Sequence, residues 1–174
     1  MKIKHGIVVL ILACLAVPLT ASAHGPKDLP DDPQLLNQYK EGYAAYQQSD
    51  YATALAKWLP LAEQGSPAAQ LFIGFMYANG QGRPKDDAAA AKWYAEAAER
   101  DNTVAQVRLA ILYRDGSGVA VDRVKALFWV KMAGRTENHM QKIARALQLP
   151  LEVVMTREEI AAAERLFARG SDNH

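Results

Sequence analysis

Cysteine is almost absent from this chain: Cys14 is the only one, and it falls inside an apolar leader. Without a second thiol there is no disulfide, and once the leader is gone there is no zinc–thiolate site or cysteine nucleophile either. Histidine is scarce as well. Beyond the leader only His24, His139 and His174 remain, two of them at the ends of that stretch. An excess of one charge is also missing. The formal net charge is +1, or −1 without Lys2 and Lys4, which gives no support for a nucleic-acid or anionic-membrane partner. No segment alternates as a strand would; apolar residues recur at spacings of three and four, the helical period. The one long apolar run, Gly6 to Val17, has twelve residues, too few for the roughly 20 that span a bilayer.

That run reads as an export signal. Lys2 and Lys4 precede it, Pro18 breaks it, and Ala21-Ser22-Ala23 is a small-x-small cleavage site. Residues 1–23 are therefore expected to be removed, leaving a periplasmic or secreted protein that begins at His24. The competing reading, acylation of Cys14 as a lipoprotein, would strand Leu15, Ala16, Val17 and Leu19 on the product. A free amine and imidazole at His24 could chelate copper, but no second histidine lies nearby in sequence. Residues 24–33 hold three prolines and little to bury, so they read as an extended arm.

What the chain does have is a repeat. Ala69-Gln70, Tyr77, Gly80, Gly82, Asp86, Ala90, Trp93 and Ala97 return 36 residues later as Ala105-Gln106, Tyr113, Gly116, Gly118, Asp122, Ala126, Trp129 and Ala133. The same offset backwards reaches Asp50, Ala54 and Ala62, a degenerate third copy. Such a period marks stacked supersecondary units. Each clear unit reads as two helices around a glycine-bearing turn: Pro67 to Asn79, then Asp86 to about Arg100; Asn102 to Arg114, then Asp122 to about Gly134. Asp50, Asp86 and Asp122 stand at N-cap positions. Small residues set against Trp93 and Trp129 predict interdigitated antiparallel helices, and identical placement in both copies reads Trp93 and Trp129 as core, each worth about 3–5 kcal/mol if truncated to alanine. Pro60 predicts a bend in its helix. Farther on, Met140, Ile143, Ala144 and Leu147 form one stripe that Pro150 is expected to close. Thr156 to Glu159 then forms a capping box opening a final helix that buries Ile160, Ala163 and Phe167.

Residues 67–134 resemble two Sel1-like repeats, relatives of the tetratricopeptide repeat, and Gly42 to Ala62 resembles an ordinary tetratricopeptide unit. The resemblance implies an all-α, right-handed α-solenoid of antiparallel helix pairs over 34–134. Two C-terminal capping helices over 135–169 and a disordered tail over 170–174 follow. It also implies a concave protein- or peptide-binding groove built from the first helix of each pair. Counting from the small residues Gly42, Gly74 and Ala110, the groove positions are Tyr39, Tyr43, Tyr46 and Gln47, then Leu71, Phe75 and Asn79, then Val107, Ile111 and Arg114. Their alternative fate is to be covered by one another, by the terminal helices or by the proline-rich arm. Some relatives are labelled β-lactamases, yet no serine-x-x-lysine and no glycine-x-serine-x-glycine surrounds Ser49, Ser66, Ser117 or Ser171. Glu158 and Glu159 point to different sides of one helix. The chain therefore reads as a non-catalytic, cofactor-free binding module or adaptor with a protein partner, against two rivals: an accessory hydrolase of the cell envelope and a host-directed secreted effector.

Overall fold

The computed structural model describes residues 28–136 and 139–171; the leader, its cleavage site, Cys14 and His24 lie outside them. The described residues form eight α-helices and no strand. These are α1 (Pro33–Gln47), α2 (Tyr51–Glu63), α3 (Pro67–Asn79), α4 (Asp87–Ala98), α5 (Thr103–Asp115), α6 (Arg123–Ala133), α7 (His139–Val154) and α8 (Arg157–Ser171). Within each pair α1 packs on α2, α3 on α4 and α5 on α6, and between pairs α2 packs on α3 and α4 on α5. The product is an all-helical solenoid of stacked pairs. At its far end α7 packs on α5 and α6, whereas α8 folds back onto α6.

The helices begin where the chain offers an acceptor to their free amides. Asp50, Asp86 and Asp122 cap the second helices through the amides of Thr53, Ala89 and Lys125 at 3.1, 2.9 and 2.9 Å. The first helices use Asp32, Ser66 and Asn102 in the same way. At α8 the capping box is reciprocal: the Thr156 amide donates to Glu159 Oε2 at 2.8 Å, and the Glu159 amide to Thr156 Oγ1 at 3.2 Å.

Two features explain why the same residues return every 36 positions, and a third sets the close approach within a pair. Buried Gln70 donates Nε2 to the Ala62 carbonyl at 3.0 Å, and Gln106 repeats this to Ala98 at 3.1 Å, so each glutamine ties a first helix to the end of the preceding pair. Gly82 and Gly118 sit in left-handed backbone directly against the start of the preceding second helix. A Cβ on Gly82 would lie 2.9 Å from that of Tyr51, and one on Gly118 would overlap the Asp87 main chain. Gly42 and Gly74 let rings pass: a Cβ there would meet the Trp58 indole at 2.6 Å or the Tyr94 ring at 2.8 Å. The equivalent third-pair positions, Ala110 and Val130, are both buried.

Four expectations are corrected. Trp93 and Trp129 are half-buried against the core's edge, while the next residue of each helix, Tyr94 or Val130, is the one fully inside; one step is about 100° around a helix, enough to exchange the two roles. Pro150 does not close α7, which runs on to Val154. Burial of Leu151 holds the following turn in place, and Pro150 and Ala146, whose carbonyl loses its partner, are both exposed. The arm is shorter than expected, because Asp28 is buried, Leu29 packs on the core and Pro33 already belongs to α1. At the other end Gly170 and Ser171 belong to α8 rather than to a tail. As expected of a residue that does not stop its helix, Pro60 lies inside α2, which continues through it with Pro60 and Ala56 both exposed.

Candidate functional site

The expected groove residues separate by their angle from the small residue that faces the neighbouring helix. Positions three before it lie about 60° away, and there Tyr39, Leu71 and Val107 are buried in the core, 6%, 1% and 2% exposed. These three offer no surface to a partner, which corrects their assignment to the groove. Positions one after it lie about 100° away; Tyr43, Phe75 and Ile111 are half-buried there. Positions five after it, about 140° away, are the exposed Gln47 and Asn79. Tyr46 and Arg114, four after it, are half-buried near the helix ends.

The half-buried aromatic members form a row across α1 and α3, onto which α5 lays an arginine. Tyr43 and Tyr46 on α1 meet the Phe72 ring edge-on, with centroids 5.8 and 5.7 Å apart, and Tyr46 meets Phe75 of α3 at 6.4 Å. From α5 the Arg108 guanidinium lies over Phe75, 5.6 Å from its centroid. Beneath the row, Trp58 stacks on Phe72 at 4.3 Å and donates Nε1 to the Tyr39 carbonyl at 3.1 Å. Burial holds the Tyr46 hydroxyl above the ordinary tyrosine range. Tyr46 donates to Gln81 Oε1 at 3.1 Å, and Gln81 Nε2 donates to the Tyr51 hydroxyl at 3.2 Å. This chain fixes the edge of the aromatic row to the glycine turn of the next pair. On the rim, Asn79 donates to the Phe75 carbonyl at 2.8 Å, and Arg114 forks onto Asp115 at 2.6 and 2.8 Å.

Sequence reasoning missed Arg108, Gln81 and Tyr51. Arg108 was detectable, because it stands 36 residues after the buried Phe72 and is the one strongly polar substitute at a core position of the first helix. Gln81 carried no signal, since its importance comes from tyrosines 30 and 35 residues away. Among the described residues no cluster of three histidine, cysteine, aspartate or glutamate side chains could hold a metal, and no helix is long and apolar enough to cross a membrane.

The fold is that of a helical-repeat protein, a solenoid of stacked helix pairs. The Sel1 repeat model matches residues 67–102 and 103–135, the two clear copies. Among solved structures, a Sel1 repeat protein from Oxalobacter formigenes is 32% identical, with a TM-score of 0.58 over 64% of this chain and 88% of that one. A protective antigen present in uropathogenic Escherichia coli strains, displaying an SLR fold, is 28% identical, with a TM-score of 0.73 over 79% of this chain. This chain spans only 30% of that antigen's length. No curated protein matches. The chain belongs to the Sel1 repeat family, whose members typically mediate protein–protein interaction.

Proposed function

We propose that this protein is a non-catalytic adaptor of the periplasm that binds a protein or peptide along the face formed by α1, α3 and α5. The observation that carries the reading is the set Tyr43, Phe75 and Ile111, half-buried side chains at matching positions of successive first helices, joined by half-buried Tyr46 and rimmed by exposed Gln47 and Asn79. Aromatic side chains fixed in position and bordered by polar groups suit a partner surface, because little rotamer freedom remains to be lost on binding.

The test begins with capture of a partner by tagged protein from its own envelope extract and proceeds with the purified pair. Phe75→Ala, and separately Gln47→Arg with Asn79→Arg on the exposed rim, should each weaken binding by about tenfold or more. The rim variant should melt within about 4 °C of the parent. Unaltered affinity in both variants would remove the groove reading. Turnover by rigorously purified protein would favour the hydrolase, and recovery from culture medium rather than periplasm would favour the effector.

A further inference from the structure

Every first helix up to α5 packs against its own second helix, but α7 does not: α8 lies on α6 instead. The inner side of α7, Met140, Ala144, Leu147 and Leu151, is buried on the stack. Its outer side carries Lys142, Ala146, Leu149 and Val153 at spacings of four, three and four, which place them on one continuous stripe. Leu149 and Val153 are 68% and 83% exposed, the two most exposed large apolar side chains among the described residues, and neighbouring Val154 is 61% exposed. Scattered apolar residues on a surface are ordinary, but contiguous ones on a single helix face mark a contact.

We propose that this face binds a second copy of the chain, α7 against α7, about a two-fold axis. The proposal concerns a surface separate from the groove and does not depend on it. Two observations select a copy of the same helix as the occupant. The first is shape. A two-fold axis across the helix makes the pair antiparallel, and an axis between residues 147 and 148 sets Ala146 opposite Leu149 of the second copy, and Leu149 opposite its Ala146. Small against large across antiparallel helices is the rule the stack already follows at Gly74 and Tyr94.

The second observation is charge. The described basic residues of α7, Lys142 and Arg145, lie in its first half, and its one acidic residue, Glu152, lies in its second half. Glu152 is held by a hydrogen bond from Gln148 at 2.8 Å. In the antiparallel pair Lys142 of each copy reaches the Glu152 end of the other, whereas a parallel pair would set like charges side by side. Charge patterning of this kind fixes register and orientation at helix contacts.

Sedimentation of the full protein over a range of concentrations tests this directly. The expected result is a reversible dimer, with Leu149→Glu weakening association by about 100-fold or more because the two-fold axis counts each buried carboxylate twice. Leu149→Glu should keep the parent helicity and melting temperature when both are measured as monomers. Lys142→Glu should weaken the dimer, and the double exchange Lys142→Glu with Glu152→Lys should restore it, a recovery that generic stickiness would not produce. A single-chain mass at every concentration up to roughly 0.5 mM, an association of only about 4–5 kcal/mol or less, overturns the proposal. So does a dimer indifferent to Leu149→Glu. A monomer that instead pellets with phosphatidylglycerol vesicles through Leu149 would assign the face to lipid and also overturn it.

Discussion

The first helix pair and the third pack the same joint with different side chains. In the first, Gly42 receives the Trp58 indole; in the second, Gly74 receives Tyr94; in the third the corresponding residues are Ala110 and Val130. Around the first pair the core is aromatic, with Tyr39, Trp58 and Phe72 in contact. Around the last it is aliphatic, with Val104, Leu109 and Val130 joined by Met140 and Leu151 from α7. What the repeats keep is the combined size across the joint. Interiors pack at near-crystalline density, so a ring on one helix excludes a Cβ on the other, and a smaller partner lets it return.

The sharpest way to break the comparison is to remove the largest ring. Trp58→Ala should cost about 3–5 kcal/mol, since the indole is fully buried and stacked. Trp93→Ala, half-buried at the core's edge, should cost about 1–2 kcal/mol. Urea melts of the two variants decide it; equal losses would show that the exposed flank contributes as much as the joint. A second measurement converts one joint into another. Gly74→Ala pushes a Cβ into the Tyr94 ring and should cost about 1–3 kcal/mol. Adding Tyr94→Val, which reproduces the third-pair combination, should make the double variant more stable than the sum of the two single changes implies. Strict additivity would refute the size rule. The smallest effect is at the caps. Asp86→Ala and Asp122→Ala should each cost about 1 kcal/mol. At Asp50, hydrogen bonds from the Thr53 side chain and amide hold the carboxyl below its ordinary value. Its contribution is therefore fully present above the unfolded value and is lost as pH falls through the folded one. Asp50→Asn should reduce the acid sensitivity of the melting temperature below about pH 4, close to an unperturbed aspartate.

These joints also show which parts of the molecule could be read without coordinates. Helix pairs, caps and glycine turns were legible because each is set by residues within one turn of the chain, and the period of 36 repeats them. The side chain that fills each joint was not, since Trp58, Tyr94 and Val130 share a position but not a residue type; the eye settles on Trp93 and Trp129, which match by name. Exposure along the first helices was legible to the extent that angle decides it, and Tyr46, about 40° from Gly42 yet half-buried near a helix end, shows where angle stops deciding. Tyr43, Phe75 and Ile111 reach the surface, whereas Tyr39, Leu71 and Val107 sit about 40° nearer the partner helix and are buried. Continuation of α7 past Pro150 depends on Leu151 finding a place in the core, a tertiary fact that local rules do not contain.

The glutamines at the joints between pairs have an evolutionary consequence. Gln70 and Gln106 each grip a carbonyl of the preceding pair, at Ala62 and Ala98. A carbonyl is present whatever side chain the preceding helix carries there. A duplicated segment of one period therefore brings its own hook and finds a ready eye on any helix end that it follows, so stacks of this kind can lengthen by copying, with no matching mutation in the older unit.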